Sequence, residues 1–420
     1  MSESDAPVDA AHRVGRVLPM SHRYRAYPTP EQAAVFARHC GEARFVWNQA
    51  LAAVMARRPF FDLTKTRTEI GWLAEGSSSV QQQALRDLRQ ALANAKLGTH
   101  RFPSWRRRGE HEGFSVRDVT VGVLNGSWAE LSVPKCGRLR FRLSRPLPEH
   151  RGMARVTLDS AGWWHVSFAS PQAPVERVPT GAVVGIDRGV VTTLATSDGQ
   201  MLRAPKLRPR ETSRIERLQH QLARQKKGSR RRGKTKAQLA RAHAHAARRR
   251  NDWIEKTTTS LVRDYDVLAV EDLKVKNMSA APKPKPDPET PGAFLPNGRA
   301  AKAGLNRAIL SQGWGRFLRR LDDKATASGV AVLRVDPAYT SQQCRACGHV
   351  AKENRESQAV FSCVACGHEN HADRNAAENI LARGLFLAPT PGQGARSGTR
   401  PARGSLAPAS GENLVGSVAA

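Results

Sequence analysis

Four cysteines late in the chain have the spacing of a metal site. Cys344 and Cys347 form one Cys-x2-Cys pair, and Cys363 and Cys366 form a second after fifteen intervening residues. Four thiolates on two short turns suit one Zn²⁺, which binds sulfur tetrahedrally. Each pair is followed by Gly-His (Gly348, His349; Gly367, His368), and the glycine suits a tight turn around a metal. Two disulfides would need an oxidising compartment, and nothing in the sequence indicates one. His349, His368 and His371 also offer ring nitrogens, but beside four thiolates they read as surface groups. Cys40 and Cys136 lie far away and read as ordinary thiols.

Three carboxylates stand where charge has to be explained. Asp187 ends the apolar run 182–186, and Glu271 ends the run 265–270. Asp373 opens a helical pattern seven residues after Cys366. Each alone fits a turn or a helix cap. In this order and context the three predict one site at one end of a mixed sheet. Hard oxygen ligands suit Mg²⁺, and two such ions about 4 Å apart activate a water and stabilise the leaving oxygen of a phosphodiester. Asp198, in a hairpin turn, and Asp272, pointing away from Glu271 along a continued strand, are weaker members.

The elements that must position these groups follow from pattern. Residues 1–18 read as a disordered lead-in and 388–420, rich in Pro, Gly, Ser and Ala, as a disordered tail. A strand near 22–27 precedes helical patterns that run to about residue 97. Residues 114–170 read as short strands joined by turns. That half is a small β-barrel domain (19–30 and 100–178) with a helical insertion (31–99). The second half is a mixed α/β domain (179–340 and 370–387) that carries the cysteine segment 341–369. A long basic helical stretch covers roughly 208–262, and the Pro- and Lys-rich 279–300 reads as a flexible loop. The fold class is multidomain α+β.

Charge bounds the partner. Lys and Arg total 67 against 37 Asp and Glu, for a formal net charge of +30 and a pI near 11. Such a chain needs a polyanion. No apolar run approaches the ~18 residues of a membrane span, which favours nucleic acid over membrane. The acidic, polar N-terminus is not a secretory signal. A cytoplasmic, nucleoid-associated bacterial protein is expected. Residues 214–250 hold 14 Lys or Arg and one acid, Glu216. Lys226, Lys227, Arg230, Arg231 and Arg232 form the peak, which reads as a phosphate surface without sequence preference. Arg101, Trp105 and Arg106 make a second cluster. In the helical insertion, Gln82 and Gln83 could pair with bases or simply be an exposed polar face.

The sequence resembles the TnpB (OrfB-type) proteins of insertion sequences, which are related to the type V CRISPR effectors. The residues that carry the resemblance are Tyr24–Gln32, Arg44–Asn48, Val184–Gly189, Val270–Leu273, Asp336–Gln342, the cysteine pairs and Ala372–Ile380. The resemblance implies a RuvC-type RNase H fold with catalytic acids Asp187, Glu271 and Asp373, two catalytic Mg²⁺ and one structural Zn²⁺ in an inserted ribbon. It implies that the N-terminal half is a wedge-like domain with a recognition insert. Arg355 matches a family arginine and is a candidate phosphate contact, and Tyr24 joins the candidate nucleic-acid contacts. A guide RNA and a double-stranded DNA target follow as partners, with the protein expected as a monomer on its RNA. Composition and spacing alone give a basic two-metal nuclease. They leave open a guide-independent transposase or resolvase with the same acids, and a nuclease-dead regulator.

Overall fold

The computed structural model describes residues 19–387, apart from 118, 150, 172–173 and 291. The lead-in expected at 1–18 and the tail expected at 388–420 lie outside the described residues.

The chain opens with β1 (Pro19–Arg25), then α1 (Pro30–Met55). Thr29 and Gln32 make a reciprocal capping box, at 3.3 and 3.1 Å, and Pro30 takes the first helical position. Three helices complete the insertion: α2 (Leu63–Glu69), α3 (Gly71–Glu75) and α4 (Ser78–Lys96). Six strands follow: β2 (Gly113–Arg117), β3 (Val121–Asn125), β4 (Trp128–Val133), β5 (Gly137–Arg142), β6 (Met153–Leu158) and β7 (Trp164–Pro171).

The expected barrel does not close among the described residues. The strands form one sheet of order β1-β7-β6-β2 and another of order β3-β4-β5, both antiparallel. A single bridge, Ala26 to Phe141, joins them at one corner. The reason lies in what covers the inner face. Phe36 of α1 is fully buried and packs edge-on against Trp164, 5.1 Å between centroids, and tilted against Phe114 at 5.6 Å. Burying a side chain of that size contributes about 1.5–3 kcal/mol. α1 therefore covers one part of the inner face, while Phe141 of β5 covers another through Tyr24 and Phe168, 5.5 and 6.1 Å between centroids.

The second half contains β8 (Val183–Asp187), β9 (Leu194–Thr196), β10 (Met201–Leu202), α5 (Pro209–Arg224), α6 (Arg230–Asp264) and β11 (Val267–Glu271). Then come α7 (Val275–Met278), β12 (Lys285–Pro286), β13 (Phe294–Leu295), α8 (Arg299–Gln312), α9 (Trp314–Ser328) and β14 (Ala331–Val335). The ribbon strands β15 (Val360–Ser362) and β16 (Glu369–His371) lead into α10 (Ala372–Leu387). The main sheet has the order β10-β9-β8-β11-β14. The pairs β10–β9 and β9–β8 are antiparallel, while β8, β11 and β14 run parallel. The basic helical stretch expected at 208–262 is helical, as two helices, α5 and α6, joined by a short turn. Gly228, at φ +84°, turns the chain, and Ser229 caps α6 by accepting the Arg232 amide at 3.2 Å. Among its described residues, the stretch 279–300 holds the two-residue ladder of β12 and β13 before α8 begins.

The two halves have separate apolar cores. They meet where α6 crosses the β6–β7 turn. There the guanidinium groups of Arg25 and Arg248 stand over the Trp163 ring, 4.3 and 3.5 Å from its centroid. Arg241 Nε also donates to the Ala161 carbonyl at 3.3 Å. Among the described residues, no helix is long and apolar enough to cross a membrane.

Candidate active site

Strand alternation decides where the first two acids point. Val184, Ile186, Leu268 and Val270 pack into the core shared with Ile254 and Leu261 of α6 and with Phe317 and Leu321 of α9. Successive strand residues face opposite sides. Gly185 and Asp187, with Ala269 and Glu271, therefore face α10. The parallel register pairs Val267 with Val183 through Val270 with Ile186, so one more step sets Glu271 beside Asp187.

The third acid arrives because α10 lies directly on this face. A Cβ on Gly185 would stand inside the Ala377 carbonyl oxygen and 2.7 Å from the Leu381 amide nitrogen. A Cβ on Gly384 of α10 would come closest to the Ala269 methyl, at 2.6 Å. Only a glycine on each side permits this approach. It carries the first turn of α10, with Asp373 only 7% exposed, toward the ends of β8 and β11.

The electrostatics reflect burial first and, at Asp187, the neighbouring acids second. Burial pushes the Asp187 carboxyl up to about 7, and the charges of Glu271 and Asp373 push the same way. The Arg188 amide and the Arg355 charge oppose them. Burial also raises Glu271, against a hydrogen bond from Thr340 and the charges of Arg188 and Arg383.

Two of the acids, Glu271 and Asp373, have side-chain supports. Arg188, 4% exposed, donates Nη2 to the Glu271 carbonyl at 2.5 Å. Thr340 Oγ1 donates to Glu271 Oε1 at 2.7 Å. Arg355 Nη2 donates to Asp373 Oδ1 at 3.3 Å. One face of α10 then grips the segment leading into the ribbon. Asn375 Nδ2 donates to the Gln343 carbonyl at 2.8 Å. Asn379 Nδ2 donates to the carbonyls of Thr340 and Gln343 at 3.0 and 2.7 Å. Arg383 Nη1 reaches the carbonyls of Asp336 and Ala338 at 3.2 and 2.6 Å.

The four cysteines converge as expected. Their sulfurs all lie within 4.8 Å of one another. Cys344 Sγ is 3.7 Å from Cys366 Sγ, and Cys347 Sγ is 3.6 Å from Cys363 Sγ. A tetrahedron with Zn–S of about 2.3 Å has edges of about 3.8 Å, whereas a disulfide needs about 2.05 Å. The residues present therefore fit zinc. The two turns share one geometry: the amides of Cys344 and Cys363 donate to the carbonyls of His349 and His368 at 2.8 and 2.9 Å. Fully buried Asn354 ties the knuckles together. It donates to the carbonyls of Gln342 and His349 and accepts the Val364 amide, at 2.8, 3.2 and 3.0 Å.

Other expected residues divide. Lys226, Lys227, Arg230 and Arg231 are exposed around the α5–α6 turn, and Arg101, Trp105 and Gln82 are exposed as well. Arg232 is committed to structure, donating to the carbonyls of Leu222 and Gln225 at the end of α5. Tyr24 corrects an expectation. It is 1% exposed, with its hydroxyl on the Pro146 carbonyl at 2.7 Å, because β1 alternation turns it inward between exposed Arg23 and Arg25. Gln83 is a second correction. It lies on the inner face of α4 and donates to Asp87 at 2.8 Å. Arg106 is half-buried with its guanidinium 3.8 Å from the Trp47 ring centroid. Asp198 accepts bonds from Thr196, Gln200 and Tyr265, and Asp272 pairs with Lys274, so both are accounted for locally. Sequence reasoning missed Arg188, Thr340, Asn354 and the α10 grip. For the grip a signal existed: Asn375, Asn379 and Arg383 recur at four-residue steps, one helical face.

Known proteins resemble this chain over most of its length. Residues 165–281 match the OrfB (IS605) model described as "Probable transposase", and residues 314–380 match "Cas12f1-like, TNB domain". Residues 20–58, here β1 and α1, match the OrfB model of a helix-turn-helix domain. The protein named "Putative RNA-guided DNA endonuclease InsQ" from Escherichia coli (strain K12) is 35% identical over 381 residues, 86% of this chain and 91% of that protein. A "Putative RNA-guided DNA endonuclease" from Streptomyces pristinaespiralis is 32% identical, over 86% of this chain and 89% of its own. Among solved structures, a Cas12f1–sgRNA–target DNA complex aligns with a TM-score of 0.50 at 14% identity, over 84% of this chain and 83% of that one. At that identity the likeness bears on fold alone, a mixed α/β multidomain architecture.

Proposed function

Because this chain belongs to the OrfB (TnpB-type) family of endonucleases related to the type V CRISPR effectors, we propose that it is an RNA-guided, Mg²⁺-dependent DNA endonuclease of RuvC type, encoded by a transposable element. One observation carries the chemistry: Asp187, Glu271 and Asp373 lie toward the α10-facing side of a mixed sheet, near enough for the charges of the other two to act on Asp187. Numbered within that sheet, the strands run 3-2-1-4-5 with the first three antiparallel, which supports an RNase H-like core.

The donor set fits Mg²⁺. Three carboxylates offer hard oxygen, and a carboxyl that burial, helped by the charges of two neighbouring acids, raises to about 7 gains from a divalent ion beside it. When bound, two Mg²⁺ supply activation of a water and stabilisation of the leaving oxygen. The chain's own part is to hold the three acids in register through the β8–β11 pairing and the α10 contact. Arg355, paired with Asp373 and partly exposed, would meet a phosphate there. The exposed cations of the α5–α6 turn offer a phosphate surface for a long RNA. The guide segment would pair with the target strand while the protein reads a short flanking duplex motif. The N-terminal sheets and their helical insertion would act as wedge and recognition domains.

Sequencing the RNA that co-purifies with the full chain tests this. The expected result is one discrete RNA that directs Mg²⁺-dependent cutting of matching DNA. Cutting and joining with no RNA present would favour a transposase or resolvase. Binding with no cutting at any Mg²⁺ concentration would favour a regulator.

A further inference from the structure

Between β14 and the first knuckle runs Asp336-Pro-Ala-Tyr-Thr-Ser-Gln342, which holds none of the three acids or four cysteines. Thr340 in this segment is nevertheless 2% exposed. A hydroxyl that deep needs partners. Oγ1 lies 2.7 Å from Glu271 Oε1 and 3.0 Å from the Pro337 carbonyl. One hydroxyl carries one hydrogen, and the shorter, charge-assisted bond to the carboxylate takes it. That bond uses Oε1 and leaves Oε2 for a cation.

The backbone around Thr340 is arranged for this contact. Tyr339 sits at φ +63°, a left-handed conformation that a side chain of its size rarely adopts. The amides of Gln342 and Gln343 both donate to the Tyr339 carbonyl at 3.0 Å, closing the turn that aims Thr340 at Glu271. Backbone strain of this kind persists where surrounding contacts over-determine it. Here they do: the Thr340 carbonyl accepts Asn379 Nδ2 from the helix that carries Asp373. Thr340 therefore touches the second acid with its side chain and the third acid's helix with its main chain.

We propose that Thr340 is a positioning residue of the nuclease site, fixing the Glu271 carboxylate and locking its setting to that of Asp373. The proposal rests on the nuclease reading above. The test uses the full chain with Thr340→Val, which keeps the shape and removes the hydroxyl, and Thr340→Ser, which restores it. Mn²⁺ binding to the RNA-free chain is followed by electron paramagnetic resonance, and guided cleavage is measured across Mg²⁺ concentrations. Valine should weaken Mn²⁺ binding and raise the Mg²⁺ requirement by about 10–100-fold, the usual cost of losing a group that orients a metal ligand. Serine should recover most of that loss. Zinc content and melting temperature report whether the ribbon is intact, and if valine disturbs either, Thr340→Ala decides in its place. Wild-type Mn²⁺ affinity in the hydroxyl-free variant, or equal losses for valine and serine, would overturn the proposal. Mn²⁺ binding needs neither RNA nor DNA. A wild-type chain that binds Mn²⁺ but cuts nothing would therefore sink the guided-nuclease reading alone.

Discussion

At the scale of single residues, the three acids carry separable consequences. Asp187→Ala, Glu271→Ala and Asp373→Ala should each abolish cleavage while nucleic-acid binding persists. Double mutants should lose no more than singles, since the ligands act as a unit. Gel-shift and cleavage assays side by side check this, and full activity in any one variant removes that residue from the site. Asp187 makes a second prediction. Its carboxyl is raised to about 7 in the fold, so between about pH 4 and 7 the folded chain binds the proton that the unfolded chain has released. The metal-free protein should therefore lose stability as pH rises through that window. Asp187→Asn should recover on the order of a few kcal/mol at pH 8 and almost nothing at pH 4. Added Mg²⁺ should narrow the gap, as denaturation curves at the two pH values would show. Asp187 and Glu271 were legible in the sequence because charge at the end of a buried strand is anomalous, and Asp373 because it opens a helix just after the second cysteine pair. Thr340 and Asn354 were not, because a threonine or an asparagine in a loop is ordinary until its buried partner is known.

At the scale of elements, α10 and the ribbon decide whether the acids meet. Gly185→Ala should drive a methyl into the Ala377 carbonyl and push α10 off β8. Overpacking of this kind costs about 1–3 kcal/mol, and here it should also displace Asp373 and cut cleavage out of proportion to the stability lost. Thermal melts and rates on the same preparation separate the two effects. Cys363→Ser should lower bound zinc from one per chain and reduce cleavage through the Arg355–Asp373 contact and the α10 grip, with RNA affinity preserved. Elemental analysis checks it, and a wild-type chain without zinc would refute it. Sequence pattern found the strands and the knuckles because alternation and Cys-x2-Cys are local. It read the helical stretch of α5 and α6 but not the turn between them, because basic residues continue through it and Gly228 alone marks it. It closed a barrel that stays open among the described residues, because alternation gives strands and not which strand edges pair.

At the scale of the whole molecule, a net charge of +30 makes affinity for RNA salt-dependent. Each neutralised phosphate contributes about 0.7–0.9 to the slope of log affinity against log salt. Arg230→Ala with Arg231→Ala should lower that slope by about 1.4–1.8 and leave the cut position unchanged. Arg232→Ala should instead lower the melting temperature, since its guanidinium closes the end of α5. Filter binding across a salt series distinguishes the two outcomes. An unaltered slope in the double variant would mark the turn as a solvated surface. Charge was readable from composition, but which cations are free and which are structural needed the fold.

The grip of α10 has a further consequence, for how the gene tolerates change. Asn375, Asn379 and Arg383 hold the path into the ribbon chiefly through carbonyl oxygens, of Asp336, Ala338, Thr340 and Gln343. Every amino acid carries that carbonyl. The loop can therefore exchange side chains at a gripped position such as Ala338 without losing its anchor, while the helix cannot exchange its asparagines. Mutational burden falls on one partner of the contact, and the other is left free to drift and to acquire new surface chemistry beside the three acids.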